Sequence, residues 1–416
     1  MRLPTDDAEL KVSEYDEERG ELGGYGGSAA KIEITMRINH PTEVHRARYC
    51  PANAFLIATK TASPDVLVFD YSRHPTKPVD DRVTPLLRLS GHTSEGYGLA
   101  WSTAAPGQLL SGSDDGLVCA WDVLGNTGGK KAGSGGGAAG GSSAGSSGGA
   151  VAPLFSFLAH GGAVIEDVSW HNVHPSLFGT ASDDGAVRLW DARSVADGPT
   201  AAITTAHTGN AMCVAFHPSK EFLVASGGTD KVVRLWDARA VGKPLHTLAW
   251  HEADVLSLAW SPFSESHLAS SSADRRVNVW DINRIGQEQE AEDAEDGPPE
   301  LLVRARNRAA ARPRKHFPNH PPPPPLFFSV QFIHGGHTDR IADFSWNEKT
   351  EWFFASVSDD NIVQIWQPAS TVIFDDEDGG EEDAEETARS GGGGGGGGAS
   401  AGGGAKRAKV ADADLE

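Results

Sequence analysis

The chain has 416 residues, and its formal net charge is −21. That balance disfavours nucleic acid and anionic membrane as partners and favours basic protein. The three cysteines, Cys50, Cys119 and Cys213, lie far apart in apolar contexts, which excludes a disulfide framework or a cysteine metal cluster and fits buried thiols in a reducing compartment.

Residues 1–30 form an N-terminal remnant rich in acid and glycine. From there to residue 374 one pattern repeats six times. Each unit opens at a histidine (His40, His92, His160, His207, His251 or His337) and closes at an aromatic residue (Phe69, Trp121, Trp190, Trp236, Trp280 or Trp366). The separation is 29 residues in five units and 30 in one. Ten residues before each aromatic stands a hydroxyl: Thr59, Ser111, Thr180, Ser226, Ser270 and Ser356. Six before it stands an aspartate in all but the first unit, where Ser63 takes the place. Between these markers run short apolar or β-branched stretches such as "VSW", "LFGTAS" and "AVRLWD", split by turn residues. Four short strands in a unit of about 40–45 residues is the mark of a propeller blade. The pattern resembles the WD-repeat family, so the predicted fold class is all-β, a WD-repeat β-propeller. Histidines and aspartates that recur once per blade read as scaffold, not as zinc ligands or acid–base pairs, because a blade needs a buried hydrogen-bonded chain to pin its strands. No nucleophile elbow, phosphate loop, dinucleotide fingerprint or metalloprotease motif is present, so the chain reads as a non-enzyme without cofactor or metal.

Three stretches interrupt the repeats. Residues 125–150 are a Gly/Ser-rich loop. Residues 287–302, "QEQEAEDAEDGPPELL", hold seven carboxylates and no base. Residues 303–331 carry six bases, no acid and a run of five prolines. Beyond the last unit, 375–416 is an acidic, Gly-rich tail too polar to fold alone.

The wording between markers is more specific than the repeat. "KIEITMRINHPTEVHRARYCPAN", "IATKTASPDVLVFDYSRHPTKP", "SSADRRVNVWDINRIGQEQEAEDAEDGPPELL" and "FIHGGHTDRIADFSWNEKTEWFFASVSDDNIVQIWQ" closely resemble the MSI-like, retinoblastoma-binding histone chaperones among WD-repeat proteins. The resemblance implies a nuclear, histone-binding subunit of chromatin assembly, deacetylase and Polycomb-type complexes. Its implied partners are histones H3 and H4 and chromatin-complex subunits, with no direct nucleic acid and no membrane. It implies one site on the open acidic face, for the H3 tail and similar basic peptides, at Glu43, Arg46, Glu95, Tyr97, Glu166, Asp254 and Asp359. Asp254, His45 and Leu256 depart from the family's usual Glu, Asn and Phe, and an acidic residue is lacking near Asn210. The second implied site grips the first helix of H4 through Glu292, Asp293, Glu295, Asp296, Pro298, Pro299, Leu301 and Leu302, with Phe332 and Ile333 in the strand that follows.

Two departures stand out. The family ring has seven blades, with a further N-terminal helix and most of one more blade. Here six blades plus one outer strand, about Lys31 to Asn39, are recognisable, so the ring either leaves a gap or closes on six. Secondly, 303–331 separates "PELL" from "FIHGGH", which are continuous in the family. It reads either as an intramolecular competitor for the histone site or, preferably, as a retained intron translated in frame: a valine codon opens with GT, a glutamine codon can close with AG, and the codons just upstream can be pyrimidine-rich. A rival function rests on "WDAR", present twice. Arg193 and Arg239 complete a Trp-Asp-x-Arg motif that resembles the docking element of cullin-ligase substrate receptors.

Overall fold

A computed structural model describes residues 15–16, 21–22, 34–127, 149–287, 298, 301–302, 333–334 and 336–368. Six antiparallel sheets follow one another along the chain, as the repeat predicts. Blade 1 is built from Val44–Cys50, Asn53–Thr61, Val66–Asp70 and Leu87–Leu89, with Gly149–Val151 added in parallel at its edge. Blade 2 holds Leu99–Trp101, Gln108–Gly112, Leu117–Asp122 and Phe155–Leu158. Blade 3 holds Ile165–Trp170, Leu177–Ser182, Val187–Asp191 and Ala201–Ile203. Blade 4 holds Ala211–Phe216, Leu223–Gly228, Val232–Asp237 and His246–Ala249. Blade 5 holds Val255–Trp260, His267–Ser272 and Val277–Asp281, and blade 6 Ile341–Trp346, Phe354–Ser358 and Val363–Trp366. Residues 34–40 lead into blade 1 outside any ladder. A two-rung hairpin joins Tyr15–Asp16 to Glu21–Leu22. The described ends of the Gly/Ser-rich loop are ordered: Val123–Thr127 is a short helix and Gly149 starts the edge strand.

The strands alternate small or β-branched residues on both faces, which is what a sheet buried between two neighbours needs. Apolar clusters accordingly lie between consecutive blades. Cys50, Val66 and Val68 of blade 1 meet Leu99, Trp101 and Leu109 of blade 2. Ala269, Val277 and Val279 of blade 5 meet Ile341, Phe344 and Trp346 of blade 6. Indole N–H groups stitch the blades further: Trp101 donates to the carbonyl of Arg48, Trp260 to that of Ala215 and Trp346 to that of Ala259.

Within blades the predicted chain of polar groups is present. In blade 4 the His207 ring lies 2.8 Å from Ser226 Oγ and 2.7 Å from Asp230, and the Trp236 indole donates to Ser226 Oγ at 2.9 Å. Blades 3, 5 and 6 repeat the arrangement through His160, His251 and His337. Blade 1 keeps only part of it: the His40 ring sits 3.1 Å from Thr59 Oγ and packs on Phe69. Burial lowers the pKa of His92, His160 and His207, so these rings are neutral donors and acceptors near pH 7.

The outer strand of blade 5 bears on the basic segment. Leu301 and Leu302 pair with Trp280 and Val279, and Ile333 and His334 pair with Asn278 and Val277. Rungs 279 and 278 are adjacent, so the chain leaves this strand at Leu302 and re-enters it at Ile333 on the next rung. The strand is continuous without residues 303–332. The join falls one residue later than the sequence comparison placed it, and Phe332 lies outside the described residues.

Candidate functional site

The inner strand of every blade but blade 2 carries a bulge near its start. Register shifts fall between Val44 and Arg46, Ile165 and Asp167, Ala211 and Cys213, Val255 and Ser257, and Ile341 and Asp343. A bulge re-aims its side chain. His45 and Glu166 therefore occupy equivalent positions around the axis, and Tyr97 precedes the inner strand of blade 2 at the matching place. The His45 and Tyr97 rings stack at 4.7 Å, and His45 Nε2 lies 3.8 Å from a Glu95 carboxylate oxygen.

Four carboxylates converge beside this stack: Glu95 and Asp114 from blade 2, Glu166 and Asp183 from blade 3. Burial, a hydrogen bond with Asp183 and the nearby charge of Asp114 push Glu166 up to about 8. Burial and the charge of Glu95 likewise raise Asp114. Glu166 thus holds a proton near neutral pH, because the like charges cannot all ionise in one half-buried place. The amide of Asn210 donates to Asp183 at 2.7 Å. A Lys or Arg side chain entering here would replace the proton on Glu166 with a charge-assisted hydrogen bond.

The predicted face residues divide. Glu95, Tyr97 and Glu166 come together. Glu43 is exposed at the lead into blade 1, Asp254 is half-buried on blade 5, and Asp359 forms an exposed ion pair with Arg340 on blade 6. Arg46 is placed differently from the expectation of an open-face residue. Its guanidinium donates to Asp167 at 2.9 Å, with the side chain 10 % exposed, and Asp167 also accepts the Val214 N–H. One turn of the strand further on, Arg48 makes a two-pronged contact with Asp343 at 2.6 and 3.1 Å. Burial opposes the Asp343 charge, but Arg48 and Arg46 hold its pKa below the usual range. Asp114, Asp183 and Arg340 were not singled out from the sequence. A signal existed for the first two: each directly precedes the scaffold aspartate of its blade, as Asp359 does.

The second predicted site is only framed. Pro298 is half-buried, and the backbones of Leu301, Leu302 and Ile333 pair with the third strand of blade 5. Glu292, Asp293, Glu295, Asp296, Pro299 and Phe332 lie outside the described residues. Elsewhere, Arg193 and Arg239 are 77 % and 63 % exposed and fold back on Asp191 and Asp237 at 2.5 and 2.8 Å. Arg239 also lies over the Phe222 ring at 4.2 Å. Among the described residues no group of side chains is arranged to hold a metal ion.

The family described as WD domain, G-beta repeat matches residues 83–122, 152–191, 199–237, 242–281 and 328–367. The chain carries WD40 repeats folded as a β-propeller. The first three strands of blade 1 of this WD-repeat propeller fall outside the matched segments, in keeping with its missing scaffold aspartate and tryptophan. WD-repeat propellers generally act as non-enzymatic scaffolds that bind other proteins.

Proposed function

We propose that this WD-repeat propeller is a non-catalytic histone-binding subunit of nuclear chromatin complexes that engages H3–H4. The observation that carries the reading is the convergence of four carboxylates, Glu95, Asp114, Glu166 and Asp183, beside the stacked rings of His45 and Tyr97. Carboxylates crowded until one is neutral form a site poised for a cation, and histone tails supply Lys and Arg in extended segments. The resemblance to MSI-like histone chaperones and the acidic stretch 287–302 support the same reading. The test is a titration of purified H3–H4, an H3-tail peptide and an H4 first-helix peptide against the whole chain at two salt concentrations. Salt-weakened binding of the tail peptide, lost in the double variant Glu95→Gln, Asp183→Asn, is expected. Failure of H3–H4 to bind at low salt overturns the proposal.

A second reading, a substrate receptor of a cullin-type ligase, is favoured by the exposed, fixed guanidiniums of Arg193 and Arg239. Adaptor capture by the whole chain that is lost in Arg193→Ala and Arg239→Ala supports it; an adaptor that ignores the chain removes it. The two roles are compatible.

A further inference from the structure

Each blade in a stack has a forward face, covered by the next blade, and a rear face, covered by the one before. One position reads the forward face. The valine of the third strand that stands three residues before the closing aromatic is fully buried in five blades, as Val66, Val118, Val187, Val233 and Val277, each 0 % exposed. In blade 6 the valine at the same register is Val363, and it is 53 % exposed. Its neighbours Ala355, Val357 and Ile365 are only half-buried. Two positions read the rear face. The residue that opens the inner strand is buried as Ile165, Ala211, Val255 and Ile341, yet Val44 of blade 1 is 40 % exposed. The aromatic residue that ends this strand is at most 8 % exposed in blades 2–6, whereas Tyr49 of blade 1 is 44 % exposed. Apolar clusters join blades 1–2, 2–3, 3–4, 4–5 and 5–6. Among the described residues no apolar cluster joins blade 6 to blade 1, where the Arg48–Asp343 ion pair and a hydrogen bond between the Tyr49 hydroxyl and Glu348 span instead.

We propose that these two unmatched faces meet between copies, the forward face of blade 6 in one chain packing on the rear face of blade 1 in a second. The occupant is specified by the chain itself. The two faces carry the same residue types, at the same register, as the pairs that seal the five internal junctions, and each copy has one of each. Such a contact is head-to-tail, so it either closes on itself or runs on. Arg48 and Asp343 lie on the two sides of the junction, so their ion pair is exchanged between chains and not lost. The contact is apolar and the copies are strongly anionic, so salt strengthens it by screening their repulsion. That is opposite to the salt response of a basic peptide on the acidic face.

The experiment is light-scattering mass determination on the whole chain over a concentration series at low and high salt. The mass is expected to exceed that of one chain and to rise with concentration and salt. Val363→Lys and Val44→Lys, both at exposed positions, are each expected to abolish the larger species. Mixed in equal amounts, they are expected to give a one-to-one pair and nothing larger, because each retains the face that the other has lost. Val363→Thr and Tyr49→Ser serve as a milder pair should either lysine variant fail to give a cooperative melt. A wild-type chain that stays at the mass of one copy throughout overturns the proposal, as do folded variants that associate like the wild type or a mixture that forms no pair.

Discussion

The ammonium of Lys60 lies 2.8 Å from Ser111 Oγ, in the position that blades 3 to 6 give to an indole N–H. Lys60 belongs to blade 1 and is 0 % exposed, and it donates also to the Gly112 carbonyl at 2.6 Å. Trp121, the tryptophan of blade 2, is left with a buried Nε1 that has no partner. A neighbour's lysine has displaced the blade's own donor.

Replacing Lys60 by Met keeps the length and removes a charge buried without an ion pair, freeing Ser111 for Trp121. An uncompensated buried charge outweighs two hydrogen bonds, so a gain of about 1 kcal/mol at pH 7 is expected in urea melts. Burial pushes Lys60 down to about 7 from 10.5. Between these values the unfolded chain binds a proton that the folded one does not, so wild-type stability rises with pH across that window. The variant should show a flatter profile. A loss of stability at pH 7 together with an unchanged profile would refute this account.

Glu166 sets the pH dependence of ligand binding. Its pKa of about 8 means that the carboxylate is largely protonated at pH 6.5 and ionised at pH 9. A Lys- or Arg-bearing peptide binds the ionised form, so affinity should rise roughly tenfold over that range, with proton release on binding near pH 7. Glu166→Gln should bind more weakly and lose the pH slope. Calorimetry in two buffers of different ionisation enthalpy measures both effects.

Deletion of 303–332 should leave the fold unchanged, because Leu302 and Ile333 already occupy adjacent rungs. Closing the outer strand of blade 5 directly removes the cost of a long loop, worth about 1–3 kcal/mol. A higher melting temperature with an unaltered circular dichroism spectrum is expected. Sequencing transcripts across codons 302 and 333 tests separately whether the segment is a retained intron; its presence in every transcript would count against that.

Acid should destabilise the protein in two stages. His92, His160 and His207 have pKa values lowered by burial, so below about pH 6.5 the unfolded chain takes up protons that the folded rings refuse. Burial works against Asp115 and Asp274, but the rings of His92 and His251 and nearby backbone N–H groups hold both below the usual range. Their contribution is present above the ordinary carboxylate range and is lost as pH falls below it. Melting temperatures from pH 8 to pH 3 should therefore fall first near pH 6 and again below pH 4. His207→Ala should melt well below the wild type, by roughly 2–4 °C per kcal/mol lost. A wild-type profile flat down to pH 5 would contradict the histidine term.

The scaffold was legible because its geometry is local. His207, Ser226, Asp230 and Trp236 must meet across two antiparallel strands, which forces fixed spacings that any reader of the chain can count. The acidic face was legible in part. Glu95, Tyr97 and Glu166 were found through family likeness, whereas Asp114 and Asp183 were marked only by preceding the scaffold aspartates of their blades, and their importance comes from two blades bringing them together. Arg46 looked like a face residue, but its guanidinium finds Asp167, far away in the chain. Lys60 gave no signal, since its partners, Ser111 Oγ and the Gly112 carbonyl, belong to the next blade.

The Arg48–Asp343 pair is an unusual closure for a stack of sheets. Among the described residues five seams are held by greasy contact and one by a clasp of opposite charges. The molecule behaves as a zipper with two loose ends: opening starts at blades 1 and 6 and travels inward, and blades 3 and 4, enclosed on both sides, release last. Amide protons in the middle of the stack then outlast those at its ends, so the ends yield first to proteases while the acidic face between blades 2 and 3 is still intact.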